Sequence, residues 1–242
     1  RPGAAPPQLK PIPLDRNGIR RATMISFVVP AHNEEQLLER TLLAINTAAR
    51  ELGEPYEVVV VDDSSTDRTA AIAQALGATV VPVQFRQIGR SRNAGAHAAQ
   101  GSLLVFVDAD TVVPPATLRA SYEAYVAGAV GGGARVRFEG HLAPWAVLGE
   151  RLLDLCMRVG RIAGGCYIFC TRAAFDAVGG FDEQLFAMEE IVFSRALQRQ
   201  GRVVIVREAV ISSGRKFGAG SGWRVLRLAL RFTRHGPGML KS

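Results

Sequence analysis

Met24-Ile25-Ser26-Phe27-Val28-Val29-Pro30-Ala31-His32-Asn33-Glu34 sets the fold class. A short apolar run with β-branched residues meets a proline and then a polar cluster. That pattern marks a strand buried on both faces that carries polar groups to its carboxyl end. It recurs downstream. Glu57-Val58-Val59-Val60-Val61 runs into Asp62-Asp63, and Leu103-Leu104-Val105-Phe106-Val107 runs into Asp108-Ala109-Asp110. Thr79-Val80-Val81-Pro82-Val83 is a further strand between them. Asn33 is the expected cap of a helix with Leu37, Leu38, Leu42 and Ile45 on one stripe. Ser64-x-x-Asp67 reads as a capping box for a helix through Leu76, and a third helix is expected from Ser91 to Ala99. Apolar strands alternating with helices predict an α/β fold, with a mainly parallel central sheet and helices on both faces.

Ligands of such sheets bind just beyond the carboxyl ends of the strands. Those ends carry His32 and Glu34, Asp62 and Asp63, and Asp108 and Asp110. Helix capping explains any one strand-end Asp; acids at three ends of one sheet edge exceed that need. In Asp108-Ala109-Asp110 the carboxylates stand two residues apart after a strand. Such a pair binds a hard divalent cation through oxygen, and substrate phosphates and water complete the shell. Past residue 110 the pattern loosens into a helix over 116–127, a Gly-rich strand over 129–138 and a strand over 167–170. A helix over Glu189–Gln200 with Val192, Ala196 and Leu197 inward precedes a strand over Val203–Val206. Glu189 and Glu190 open that helix, where the dipole favours anions. Two adjacent like charges push at least one of the pair toward a higher pKa.

At 242 residues the chain has room for one sizeable domain. The net charge is +7, and residues 215–242 hold seven basic residues and no acid. Residues 1–21 add a further +4, so 22–214 is slightly acidic at −4. A nucleic-acid module would put its positive charge on the folded face, so nucleic acid is excluded as a partner. Cys156, Cys166 and Cys170 have no CxxC spacing and read as reduced core thiols. The apolar window Leu152–Cys170 is interrupted by Asp154, Arg158 and Arg161, which a spanning helix tolerates poorly. Arg224, Arg227, Arg231 and Arg234 form one helical stripe, which reads as peripheral contact with an anionic membrane. A packed helix with a solvated basic face is the competing reading. The expected plan is a flexible Pro-rich leader (1–22), one catalytic domain (23–214) and a basic amphipathic tail (215–242). The domain divides into a nucleotide-binding half (23–113) and an acceptor half (114–214).

Taken in order, Ile25–Glu35, Val60-Val61-Asp62-Asp63-Ser64-Ser65-Thr66-Asp67, Arg92-Asn93-Ala94-Gly95 and Phe106–Asp110 resemble family 2 glycosyltransferases. Gly179-Gly180-Phe181-Asp182-Glu183 and Glu189-Glu190 resemble that family's second half. The resemblance implies a GT-A-type Rossmann-like sandwich and an inverting, metal-dependent transferase. It would move a sugar from a nucleotide-diphosphate donor to a hydroxyl acceptor. Pro30, Ala31 and His32 would line the base and ribose pocket, with Glu34 beside the nucleoside. Asp63 would accept from a base N–H, and Arg92 would lie near the nucleotide. Asp108 would meet the ribose or the metal shell, and Asp110 would be the principal ligand of Mn2+ or Mg2+. Glu190 would be the general base, with Glu189 its rival. An acceptor pocket is expected near Gly164-Gly165 and Phe181.

Two departures from the family pattern stand out. Glu-Glu replaces the family's Glu-Asp, and Ile211-Ser212-Ser213-Gly214-Arg215-Lys216 offers no His as a further metal ligand. Arg215 and Lys216 are candidates to clamp the diphosphate instead; a solvated basic turn is the alternative. The basic tail suits a lipid-linked acceptor and a cytoplasmic location at the inner face of a membrane. Two other functions are weighed: a nucleotide-sugar or membrane binding module without turnover, and a sugar-phosphate nucleotidyltransferase. The latter wants a Gly-rich basic loop after the first strand, where Pro30–Glu34 is acidic. A dehalogenase-type phosphatase would need a downstream Lys and a second Asp pair; Lys216 and Lys241 lie in the tail and no such pair follows 110.

Overall fold

The computed structural model describes residues 23–139, 154–155, 157–185 and 187–213. In chain order it runs β1 (Ile25–Ala31), α1 (Leu38–Leu52), β2 (Tyr56–Asp63), α2 (Thr69–Ala75) and β3 (Thr79–Val83). Next come α3 (Ile88–Ala98), β4 (Leu103–Val107), β5 (Thr111–Val112), α4 (Pro115–Val126) and β6 (Gly131–Phe138). The chain continues with β7 (Tyr167–Thr171), α5 (Arg172–Val178), α6 (Glu189–Gln200) and β8 (Val203–Ser212). One sheet takes the order β3-β2-β1-β4-β7-β6-β8-β5. β1 is parallel to both β2 and β4, and β2 is parallel to β3. β7 then runs antiparallel to β4 and β6. Because β1, β2 and β4 are parallel, their carboxyl ends fall on one edge of the sheet, which is where the acids are.

The apolar strand runs alternate between two cores. Phe27, Val29, Val58, Val60 and Val105 pack with Leu38, Leu42 and Ile45 of α1 and Leu118 of α4. Val28, Val59, Val61, Leu104 and Phe106 face the opposite way, toward Ala96 of α3, Phe175 of α5 and Phe193 and Leu197 of α6. Helices therefore cover both faces, which is why these strands carry apolar residues without alternation. On the second face Phe181 stacks on Phe193 at 4.1 Å and meets Phe106 edge-on at 5.0 Å. This corrects the expected pocket role of Phe181, whose ring is core. Gly95 lets α3 lie directly on the sheet. A Cβ there would collide with Val28 and stand 2.7 Å from Val61 Cγ2.

Local expectations fail where tertiary partners outbid short-range patterns. Asn33 does not cap α1. It adopts φ 53, and its Oδ1 accepts from the Thr66 N–H at 2.8 Å, tying the β1–α1 loop to the β2–α2 loop. Ser64 also sits at positive φ (61) and donates to the Val83 carbonyl, so α2 begins at Thr69, whose N–H binds Asp67. In α6 the buried side chains are Glu189, Phe193, Ser194 and Leu197; Val192 and Ala196 are only half-buried. β8 runs on to Ser212, beyond the expected Val206, by taking a register shift against β6 at Ala134/Arg135. Cys166 and Cys170 form no disulfide among the described residues, and burial pushes Cys170 far above its usual pKa. Among the described residues no helix is long and apolar enough to cross a membrane.

Candidate active site

The first wall is the edge formed by β1 and β2. The His32 Nδ1 lies 2.7 Å from the Asp63 carbonyl oxygen. A carbonyl only accepts, so Nδ1 bears the proton, and Nε2 accepts from the Asn33 amide at 3.3 Å. Pro30 is half-buried, Ala31 is buried, and Glu34 is half-buried with its N–H donating to Thr69. Asp63 reaches away from this wall. Its carboxylate accepts from the N–H groups of Phe85, Arg86 and Gln87 and from the Ser91 hydroxyl. Burial alone would raise its pKa, but these four donors outweigh it and hold the group below the ordinary carboxylate range. Its acceptor positions shape the 85–87 loop that starts α3.

The second wall is the Asp108–Asp110 turn. The Thr111 N–H bonds the Asp108 carbonyl, closing a tight turn, and the Asp108 N–H donates to Cys166. Thr41 of α1 holds the middle carbonyl, that of Ala109, at 2.8 Å. The end of β8 grips the turn from the other side. The Ser213 N–H donates to the Asp110 carbonyl, and its hydroxyl donates to the Asp110 Oδ2 at 2.6 Å. Both carboxylates are largely buried, at 8% and 6% exposed. Among the described residues no cluster of three or more His, Cys, Asp or Glu side chains could cage a metal. The donor chemistry of the turn, two hard oxygen ligands on a short loop, still fits Mg2+ or Mn2+, which take much of their shell from substrate and water. It does not fit a closed all-protein site.

The third wall brings in Glu189 and Glu190. Met188 caps α6 in the left-handed region (φ 63), a conformation costing about 1–2 kcal/mol for a non-glycine residue. Its carbonyl accepts from Ile191 and Val192, which sets the acidic pair in the first turn. Arg92 of α3 lies between the second and third walls at 1% exposure. Its Nη2 donates to Asp108 at 3.0 Å and to the Gly165 carbonyl at 2.7 Å, and its Nη1 donates to Glu189 at 2.7 Å. The guanidinium carbon also lies 5.2 Å over the Phe181 ring. Glu190 is pushed up from 4.5 to about 7, chiefly by burial and next by the charge of Glu189. The cationic Arg92 opposes that rise without cancelling it. A Cβ on Gly165 would stand 3.7 Å from the Glu190 carboxyl carbon, so the glycine leaves space against that group.

Arg92, Asp108, Glu189 and Glu190 thus form one electrostatic network, with Asp110 on the same turn as Asp108 and Asp63 held to α3 through Ser91. Asp63, expected to accept from a base N–H, and Arg92, expected near the nucleotide, are both buried here, with Asp63 accepting from the 85–87 loop and Ser91, and Arg92 donating to Asp108, Glu189 and Gly165. Sequence reasoning missed Ser213, whereas Gly165, expected beside the acceptor pocket, lies against Arg92 and Glu190. Ser213 stands just after the last core strand, where a ligand was sought, but a lone hydroxyl carries no motif. Arg215, Lys216, Cys156 and the 224–234 stripe lie outside the described residues.

The sequence profile of Glycosyl transferase family 2 matches residues 26–177. The undecaprenyl-phosphate 4-deoxy-4-formamido-L-arabinose transferase of Pseudomonas aeruginosa (strain LESB58) is 33% identical over 164 residues, covering 62% of this chain and 44% of that protein. Its namesake in Pseudomonas paraeruginosa is 37% identical over 119 residues, covering 44% and 31%. The chain therefore spans less than half the length of these curated relatives. The mannosyltransferase PcManGT of Pyrobaculum calidifontis, solved with GDP-Man and Mn2+, superposes with a TM-score of 0.67 at 22% identity, covering 88% of this chain and 64% of that one. TarS 1–349 of S. aureus, solved with UDP-GlcNAc, gives 0.63 at 22% identity, covering 85% and 65%.

Proposed function

The chain belongs to glycosyl transferase family 2 and has the GT-A fold, and from that premise we propose that it transfers a sugar from a nucleotide-diphosphate donor to a hydroxyl acceptor, with inversion at the anomeric carbon. The observation that carries the reading is the pairing of Arg92 with Asp108 and Glu189 while Glu190, pushed up to about 7, stands beside it. Pro30, Ala31, His32 and Glu34 form the donor-side wall. Asp63 supports the pocket by holding the 85–87 loop. Asp110, with Asp108, would hold Mg2+ or Mn2+, which when bound neutralises the departing diphosphate as a Lewis acid.

The acceptor oxygen must lose a proton as the new bond forms at an oxocarbenium-like carbon. A carboxylate held near neutrality is matched to that task at neutral pH, and Glu190 is such a group. The names of the undecaprenyl-phosphate relatives support a lipid-linked acceptor, and with it a place for the enzyme at the inner face of a membrane. Contact through the basic tail and a diphosphate clamp by Arg215 and Lys216 belong to the same proposal. A phosphate acceptor arrives already ionised, whereas an alcohol does not. Transfer indifferent to both Glu189→Gln and Glu190→Gln would therefore identify a phosphate acceptor.

The test is a thermal-shift panel of UDP, GDP and dTDP with and without Mn2+, followed by anomeric analysis of the product. A nucleoside diphosphate that binds the folded state raises the midpoint by mass action. No rise with any of them, or a product with retained configuration, refutes the reading.

A further inference from the structure

Arg92 is the large cation sealed into the second core, and its position does not suit a donor contact. Its two terminal nitrogens are spent on Asp108, Glu189 and the Gly165 carbonyl. Among the described residues its Nε has no hydrogen-bond partner, while the guanidinium carbon lies over Phe181. Three acids surround one guanidinium, and it is hydrogen-bonded to Asp108 and Glu189 but not to Glu190. Glu190 instead faces the space that Gly165 leaves by lacking a Cβ. α3 is itself fixed to the loop that leads into α6. The Asn93 amide donates to the Phe181 carbonyl at 2.9 Å and its Oδ1 accepts from the Phe181 N–H. The Gln87 amide donates to the Leu185 carbonyl at 2.6 Å.

We propose that Arg92 is a positioning residue for transfer: it reserves Glu189 as a standing counter-ion, leaves Glu190 as the group that faces the acceptor, and ties that group to the Asp108–Asp110 turn. The proposal rests on the reading of the Glu pair as the base. Arg92 touches neither donor nor acceptor. It reaches the base through Glu189, while Asp110 remains the principal ligand of the donor's metal, so its loss lowers turnover more than donor affinity. Lysine keeps the charge but cannot span both acids with a planar fork, so Arg92→Lys is not conservative here.

The experiment measures hydrolysis of a panel of UDP-, GDP- and dTDP-linked sugars with Mn2+, water being the acceptor, for the wild type and four variants. Glu190→Gln is expected to lower kcat by at least about 100-fold, the scale of a lost general base. Glu189→Gln should lose at least about tenfold less than that. Arg92→Lys should lower kcat while KM for the donor stays within about threefold. Its cost should shrink in the Arg92→Lys/Glu189→Gln double variant, because the effect passes through Glu189. Several results overturn the proposal while leaving a base within the pair. These are a larger loss for Glu189→Gln than for Glu190→Gln, additive effects in the double variant, or an Arg92→Lys variant with raised donor KM and unchanged kcat. If Arg92→Lys fails to fold, the ranking of the two Glu variants still decides. If both Glu variants keep wild-type kcat, or the wild type hydrolyses no donor, the base reading fails and the proposal falls with it.

Discussion

Glu190→Gln should flatten part of the pH dependence of stability, and its size follows from the position of the side chain. Burial and the neighbouring Glu189 charge raise Glu190 from 4.5 to about 7 in the folded protein. A carboxyl with a raised folded pKa contributes stability that is fully present below its unfolded value. That contribution is lost as pH rises through the folded value, because the unfolded chain gives up the proton first. The window is therefore about 4.5 to 7. At about 1.36 kcal/mol per unit, raising the pH from about 5 to about 8 should cost the wild type about 2–3 kcal/mol through this one group. The glutamine amide does not titrate, yet it can donate to Glu189 as the protonated acid does. The stability difference between variant and wild type should thus shift by about 2–3 kcal/mol in favour of the variant over that range. Urea unfolding at both pH values measures it, and with a slope of about 2–3 kcal/mol per molar the relative midpoint moves by roughly 1 M. An equal difference at both pH values refutes the argument that Glu190 is held neutral. The same titration sets the sign for catalysis: turnover should rise with pH through about 7 as the base is deprotonated.

Gly165→Ala should fold normally, since its Cβ meets Arg92 and Glu190 at ordinary contact distances of 3.6 and 3.7 Å. It should nevertheless raise the acceptor KM several-fold without moving nucleotide affinity, as steady-state kinetics with donor and acceptor varied separately would show. Gly95→Ala should cost about 1–3 kcal/mol by overpacking α3 against Val28 and Val61, read by urea unfolding. Asp110→Asn should abolish the part of the nucleoside-diphosphate thermal shift that depends on Mn2+, and the wild type with EDTA should match it. At a hundredfold excess over Kd the ligand term lost is about 2.7 kcal/mol.

The first half of the fold was legible because β1, β2 and β4 are buried on both faces and read as uninterrupted apolar runs, and the more exposed edge strand β3 is apolar and β-branched as well. β1, β2, β3 and β4 all fall where those runs lie. Turn chemistry was read less well. Asn33 and Ser64 occupy left-handed conformations stabilised by partners on other loops, which no window of neighbouring residues reveals. β8 was read short because Arg207 and Glu208 break its apolar pattern at the register shift against β6. In the site, the acids were legible as residues and as strand-end positions. Which of them faces solvent and which is consumed by internal donors was not, since that depends on contacts 97 residues apart, as between Arg92 and Glu189.

α3 shows why the site and the fold resist separate treatment. Its buried positions are Gly89, Ser91, Arg92, Asn93, Gly95 and Ala96, so its inward face is largely small or polar. An amphipathic helix ordinarily buries apolar side chains, and a polar face inside a core is tolerated when its groups find partners, as all but the Arg92 Nε do among the described residues here. Here the partners are Asp63 for Ser91, Asp108 and Glu189 for Arg92, and the Phe181 backbone for Asn93. Those acids sit at the end of β2, the end of β4 and the start of α6, which are the three walls of the site. Removing Asp108 or Glu189 would leave a buried guanidinium undercompensated, and broken buried pairs cost about 3–5 kcal/mol. The acids that serve chemistry are therefore also what permits a polar helix to pack against the sheet. Loss of activity in an Asp108 variant has to be separated from loss of fold before it is read as catalysis.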